Sequence, residues 1–312
     1  MNAWNAGEQI RARGDEEPKV EGGPGPQARR DSSAHLPPLL AGLGYTLRSV
    51  AVGATATAAS DALILPSLCD VPAGESLMGS DPTRDPEAER EERPQHRVVL
   101  PAFRIARFPM TVAEYACFVQ ATGHRRPKRW NLLGRVVDWP TQLRRPEHPV
   151  VMVSWHDATA YAAWLARLTG HPWRLPTEAE WEKAARWDAA AGAAWIYPWG
   201  DAFDATRCNT QGSGIGATTP VGSYPAGASP CGAQDMAGNV WEWTNSRYGR
   251  YPYRSTDGRE ASSSSNRHVR IMRGGGFGAA SVAVRCAWRG RDAPTATADS
   301  CGIRLTCAAP SW

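Results

Sequence analysis

Several features that mark particular classes of protein are missing from this chain of 312 residues. None of its seven cysteines belongs to a C-x-x-C pair, which argues against zinc-ribbon and thioredoxin-like sites. No apolar run reaches the roughly eighteen residues that cross a bilayer, because Arg48 and Asp61 interrupt the best candidate. The first residues carry Asp15, Glu16 and Glu17, which is not the basic-then-apolar order of a secretory signal. We therefore expect a cytoplasmic protein with mostly reduced thiols and no membrane partner.

An excess of one charge is also absent. The formal net charge is +4, with lysine and arginine mixed among aspartate and glutamate, so no strong field selects for nucleic acid. Residues 247–254 do alternate basic and aromatic side chains, as single-strand binders do. Asp257 and Glu260 lie close by in an irregular region, however, and we expect the tyrosines to pack on the domain. Nucleic acid is not an expected partner.

Tryptophan and apolar residues are present in quantity. The 14 tryptophans outnumber the five phenylalanines, and each buried indole N–H needs an acceptor, which favours a loop-rich fold. Residues 1–35 have almost no apolar periodicity and are predicted to be a flexible tail. Residues 36–65 form an accessory segment of undecided role, either packing on the domain or docking a partner. The main domain is predicted to cover residues 66–312.

Local signals place the regular elements of this domain. Thr111, Ser154 and Thr177 each precede a run of helical periodicity, and two of them, Thr111 and Thr177, are followed three residues later by glutamate in a capping box. Residues 71–80 are predicted to form two strands joined by a turn, and residues 96–100 a further strand. The result is an α+β fold with two main helices, short antiparallel sheets and much irregular structure.

Motifs spread over residues 66–307 resemble the formylglycine-generating enzyme family, the sulfatase-modifying-factor type of C-type-lectin-like domain. They follow the family order and are Met78-Gly79-Ser80, Arg174-Leu175-Pro176-Thr177-Glu178, Tyr197-Pro198-Trp199-Gly200, Gly238-Asn239-Val240-Trp241-Glu242-Trp243, Arg273-Gly274-Gly275 and Gly302-Ile303-Arg304. The resemblance implies the fold. It does not by itself imply a function, because one scaffold serves unrelated tasks.

The founding activity of this family converts a substrate cysteine to formylglycine with copper held by two cysteines five positions apart. By this resemblance Cys286 occupies the second position, and Ser281 occupies the first. A serine hydroxyl is a hard ligand and does not complete a two-sulfur site for Cu(I). We therefore predict no copper site and no catalytic residue, with Cys286 as the catalytic candidate if an enzyme is present after all.

A second activity of the family is ergothioneine-type sulfoxide synthesis, with iron held by three histidines that come largely from a separate N-terminal helical domain. Before residue 66 this chain has only His35, and its other six histidines show no ligand spacing such as H-x-x-x-H. We predict no iron site.

A third, non-catalytic use is the variable protein of diversity-generating retroelements. Residues 272–305 resemble its frame, with arginines, glycines and apolar residues enclosing short runs of arbitrary-looking chemistry. Trp288 is a candidate aromatic anchor of the contact face. The predicted ligand-binding residues are Gly278, Ala279, Ala280, Ser281, Ala283, Trp288, Gly290, Arg291, Asp292, Thr295, Thr297, Asp299 and Ser300. The ligand is expected to be a protein or another macromolecule. The frame arginines, Arg273, Arg285, Arg289 and Arg304, are predicted to be structural.

The family also implies calcium sites. The first falls on Asp235, Gly238, Val240 and Glu242, where hard carboxylate and carbonyl oxygens suit the ion, although helix or loop capping is an equal alternative for the acids. A second family site would need an acid after Asn209, and none follows before Asp235, so we predict its loss.

Three functional hypotheses remain open at this stage. The first is a non-catalytic ligand-binding protein, in its specific form the diversified receptor of a retroelement. The second is a metal-dependent oxidase or oxygenase of the same family. The third is a structural or regulatory module in which residues 36–65 dock a partner.

Overall fold

The computed structural model describes residues 35–51, 60–127, 130–132, 135–261 and 268–308, and the predicted tail falls outside them except for its last residue, His35. Five helices lie in the described ranges: α1 Pro38–Gly42, α2 Val112–Thr122, α3 Trp139–Leu143, α4 Trp155–Thr169 and α5 Glu178–Arg186. Together with small sheets and long irregular connections, they confirm the α+β prediction.

The three longer helices begin where their capping signals predict. The Thr111 side chain accepts from the amide of Glu114, and the Glu114 carboxylate accepts from the amide of Thr111. Thr177 and Glu180 form the same box in α5. Ser154 caps α4 in a third box, closed by Asp157. Each box satisfies amides at the helix start that have no partner within the helix. Both α2 and α4 end at a glycine in the left-handed conformation, Gly123 and Gly170.

The strands form small sheets of two to four members. Their bounds are β1 Thr46–Ala51, β2 Ser60–Leu65, β3 Leu68–Val71, β4 Gly74–Met78, β5 His96–Leu100, β6 Phe103–Ala106, β7 Trp130–Leu132, β8 Arg135–Val137, β9 Trp187–Asp188, β10 Ala193–Ala194, β11 Trp241–Arg247, β12 Arg270–Arg273, β13 Gly290–Asp292, β14 Cys301–Ile303 and β15 Thr306–Ala308. The largest sheet has the order β13-β12-β11-β14. In it β12 pairs antiparallel with one edge of β11 and β14 pairs parallel with the other edge, so this pair departs from the expectation of antiparallel sheets.

Residues 36–51 and 60–65 contribute to the domain core. After α1, strands β1 and β2 pair antiparallel, and β2 packs against α2. Leu40, Leu63 and Ile64 are buried in the same apolar cluster as Phe118. The described parts of this segment pack on the domain, and the docking of a partner stays a hypothesis.

Buried tryptophans hold irregular backbone together, as their abundance predicts. The indole N–H of Trp155 donates to the carbonyl of Thr244 at 3.0 Å, and that of Trp243 donates to the carbonyl of Val153 at 3.1 Å. These two bonds join the start of α4 to β11 in both directions. Within the described ranges, no helix has the length and apolarity to cross a membrane.

Candidate ligand-binding site

Four buried arginines fix the C-terminal segment that carries the candidate site. Arg285, for example, donates to Asp85 at 2.6 Å and to both carboxylate oxygens of Glu92 at 2.8 and 2.7 Å. Arg273, which is fully buried, also donates to the carbonyls of Cys286 and Trp288. The prediction that these arginines are structural is confirmed, with buried carboxylates as partners in addition to the expected carbonyls.

The backbone of the first predicted contact loop is anchored at two points. The carbonyl of Ala279 accepts from the amide of Gln211 at 3.0 Å, and the carbonyl of Ser281 accepts from the hydroxyl of Tyr197 at 3.3 Å. Between these anchors Ala280 is exposed, while Ala279 and Ser281 are partly exposed. A loop held through its main chain tolerates changes in its side chains, which is what a contact surface requires.

Most of the predicted contact residues reach solvent. The exposed ones are Gly278, Ala280 and Thr295, and the partly exposed ones are Ala279, Ser281, Ala283, Arg291, Asp292, Thr297 and Asp299. They lie in the loop before Val284, on β13 and in the segment that precedes β14. Burial raises the pKa of the Asp292 carboxyl.

Three predicted contact residues are buried, and these expectations are corrected. Trp288 packs against the indole of Trp241 at a centroid distance of 5.2 Å, so it is a core residue and not an exposed anchor. A Cβ at Gly290 would lie 2.8 Å from Trp241 as well. Ser300 packs against Gly276. All three positions therefore belong to the frame. Trp241 fills the space beneath the contact loops.

Cys286 lies in the core beside α5. Its Sγ is fully buried and 3.8 Å from the carbonyl oxygen of Ala185. Burial raises the pKa of the Cys286 thiol to about 12, whereas Cu(I) binds the thiolate. Ser281, five residues earlier, is in a partly exposed loop. The two positions implied for copper by the family resemblance therefore lie in different environments.

The four positions predicted for calcium have other partners. Glu242 accepts from Arg304 through both oxygens and from the indole of Trp181 at 2.6 Å. Asp235 accepts from the amide of Gly222 at 2.9 Å, and burial raises its pKa to about 6. The Glu242 carboxylate, already paired with a guanidinium and an indole N–H, does not offer the free charged oxygens that calcium prefers.

A basic cleft next to Arg291 was not found from the sequence. It has a volume of about 470 Å³, and the residues that line it are Arg90, Glu91, Arg93, Pro94, Tyr248, Arg250 and Tyr251. The guanidinium of Arg291 lies 4.2 Å from the ring centroid of Tyr248. For one wall of the cleft, the alternation of basic and aromatic side chains over residues 247–254 was the signal available in the sequence. The other wall lay in a charged loop with no pattern of its own.

Comparison with known proteins agrees with the fold and the motifs. The family model of the sulfatase-modifying factor enzyme 1-like domain matches residues 55–309. Hercynine oxygenase of Mycolicibacterium thermoresistibile is 36% identical over 260 residues, which is 73% of this chain and 56% of that protein. The chain thus spans little more than half the length of this relative. Inactive C-alpha-formylglycine-generating enzyme 2 of Mus musculus is 30% identical over 293 residues, covering 78% of this chain and 86% of that protein.

Among solved structures, Treponema denticola variable protein 1 has the same fold. It superposes with a TM-score of 0.59 at 18% identity, covering 84% of this chain and 99% of that one. The fold is therefore shared by proteins whose names describe an oxygenase, an inactive enzyme and a variable protein.

Proposed function

The chain belongs to the family of sulfatase-modifying factor enzyme 1-like domains, and we propose that within this family it is a non-catalytic protein that binds a macromolecular ligand. Its contact face is the partly exposed surface between residues 278 and 299. In its specific form the proposal is that the protein is the diversified receptor of a retroelement. The expected location is the cytoplasm.

The burial of Cys286 carries this proposal. A copper-dependent oxidation needs a thiolate that meets both the metal and the substrate, and this thiol is enclosed against α5 with its pKa raised to about 12. The neighbouring loop position is Ser281, which offers oxygen in place of sulfur. A surface that retains the family frame but lacks a reactive thiol is suited to holding a ligand.

The division between frame and loops supports the same proposal. Buried ion pairs of Arg273, Arg285, Arg289 and Arg304 fix the segment, while most of the predicted contact residues in the loops are exposed or partly exposed. Sequence changes in the loops then alter binding without altering the fold. The shared fold of the Treponema variable protein is compatible with this use.

An oxygenase is the second candidate, and 36% identity to a hercynine oxygenase favours it. The match covers 56% of that relative's length. A metal-dependent reaction here would need ligands other than the enclosed Cys286. Among the described residues, no group of three or more His, Cys, Asp or Glu side chains is placed to hold a metal.

Titration with Cu(I) in competition with a chromogenic chelator tests the non-catalytic part of the proposal. We expect wild-type protein and Cys286→Ala to take up equal amounts of Cu(I), and we expect no aldehyde when either is incubated with a cysteine-containing peptide and oxygen. Tight uptake that is lost in Cys286→Ala, or aldehyde formation, overturns the binding proposal. The retroelement form has its own test, which is the search for an adenine-mismatched copy of the 3′ coding segment near the gene; its absence removes that form alone.

A further inference from the structure

The cleft beside Arg291 is built from two distant parts of the chain. Residues 90–94 form one wall and residues 248–251 the other, around a volume of about 470 Å³. This volume is within the range of sites that hold a small ligand or a few side chains of a partner. None of the lining residues was among the predicted contact residues.

Arg289 contacts both walls of the cleft. Its guanidinium donates to the carbonyl of Glu91 at 2.9 Å and to the carbonyl of Gly249 at 2.9 Å. It also lies 4.0 Å from the ring centroid of Tyr251, and its charge is balanced by Glu178 at 2.6 and 3.0 Å. The cleft is thus formed before any ligand arrives, which lowers the entropic cost of binding.

The charge of the cleft is positive. Arg90, Arg93 and Arg250 line it, and Glu91 is the single acid among its described lining residues. Arg291, at the edge, adds a fourth guanidinium. Within the described ranges, no carboxylate forms an ion pair with Arg90, Arg250 or Arg291. These groups are available to carboxylates or phosphates of a ligand, which guanidinium ions bind with charge-assisted hydrogen bonds.

The aromatic rings favour a peptide over a single-stranded nucleic acid. Binding of unpaired bases relies on open aromatic faces. Here Tyr248 is covered by Arg291, Tyr251 lies against Arg289, and Tyr253 is buried beneath Arg259. The expectation that these tyrosines pack on the domain is confirmed: Tyr253 is buried, and Tyr248 and Tyr251 line the cleft with a guanidinium against each ring.

We infer that this cleft binds an acidic segment of the partner protein, one that carries two or more carboxylates. Arg291 belongs to the contact face and lies against Tyr248 at the edge of the cleft, so the two surfaces adjoin. The inference rests on the proposed binding function and specifies the chemistry of its partner: the loops of residues 278–299 contact the partner's surface while its acidic segment enters between residues 90–94 and 248–251.

Fluorescence anisotropy with a labelled hexaglutamate peptide and the full chain tests the inference. The double variant Arg90→Ala/Arg250→Ala removes two exposed guanidinium groups of the cleft, and we expect it to weaken binding by about tenfold. The matched control is Arg144→Ala/Arg167→Ala, which has the same change in net charge at exposed positions outside the cleft. It should change the affinity by less than about twofold.

The other probes decide between ligand classes. A glycine-serine peptide of equal length should bind at least about tenfold more weakly than hexaglutamate. Equal binding of the two peptides, or equal loss in both double variants, overturns the inference. If oligothymidylate binds more tightly than hexaglutamate and this binding is lost in the cleft variant, the ligand is a nucleic acid and the inference is overturned. If equimolar inorganic phosphate competes hexaglutamate away completely, the cleft is a site for small oxyanions and the inference is overturned as well. None of these results alters the Cu(I) and aldehyde measurements, which judge the binding function separately.

Discussion

Arg304 donates to both carboxylate oxygens of Glu242 at 2.8 Å each, and neither side chain has any exposure to solvent. The same guanidinium donates to the carbonyls of Ala106 and Gln234 at 2.7 Å. One side chain near the C-terminus therefore connects β11, the end of β6 and the loop before Asp235. The family motifs around Glu242 and Arg304 meet in this one contact.

Loss of Arg304 should be among the costliest changes in the chain. In Arg304→Met the Glu242 carboxylate stays buried without its counter-ion, and we expect the free energy of unfolding to fall by about 3–5 kcal/mol. Denaturant titration measures this. The double variant Glu242→Gln/Arg304→Met should regain part of the loss because no buried charge remains. Exposed Arg97, paired with Glu75, provides the control, since Arg97→Met should cost less than about 1 kcal/mol. A loss for Arg304→Met no larger than the control would contradict the framework role.

The contact loops should tolerate changes that the frame does not. Ala280→Tyr places a large side chain at an exposed position, and we expect a change in unfolding free energy within about 0.5 kcal/mol. Gly290→Ala brings a methyl group to 2.8 Å from Trp241 and should cost about 1–3 kcal/mol. Thermal unfolding of both variants checks the contrast. Equal costs would show that residue 290 is part of the adaptable surface and that Trp241 moves.

Stability should depend on pH through Glu114. Burial raises the pKa of this carboxyl from 4.5 to about 7, against the hydrogen bonds from Thr111. The folded state therefore binds the proton more tightly than the unfolded state, so the contribution is full below pH 4.5 and is lost as the pH rises through 7. Glutamine keeps the capping box without titrating.

The measurement is urea unfolding of wild type and Glu114→Gln across that pH window. The variant should gain stability relative to wild type as pH rises, by on the order of 3 kcal/mol in total, and the difference should level off above the window. Glu180→Gln alters the corresponding capping position of α5, where the carboxylate pairs with Arg174. It should lose stability instead. A pH-independent difference for Glu114→Gln would show that the carboxyl ionises normally.

Calcium should have little effect on this protein at the predicted loop. The Glu242 oxygens are held by Arg304 and Trp181, so an ion would have to displace a buried guanidinium. We expect millimolar CaCl₂ to leave the unfolding temperature of wild type within about 1 °C of its value in EDTA. An increase of several degrees that disappears in Asp235→Asn would restore the calcium site.

Local chemistry in the sequence was sufficient for the elements and the family. The caps at Thr111, Ser154 and Thr177 act within three residues, so helix starts were predictable without knowledge of the fold. The frame arginines were recognisable as structural because long cationic side chains among glycine and apolar residues must find buried acceptors. Even so, their partners were not predictable, since Arg285 meets Glu92 from 193 residues away.

The residues alone were enough to predict membership of a known fold family whose C-terminal frame alternates with loops, because those signals are local hydrogen-bonding and spacing patterns. The exposure of each side chain and the contacts between distant segments required the folded structure. The burial of Trp288 against Trp241 and of Cys286 against α5 depended on packing between distant elements. Arg289 joins the two walls of the basic cleft by binding Glu91, 198 residues before it, and Gly249, 40 residues before it; contacts over such separations are set by the whole folded chain.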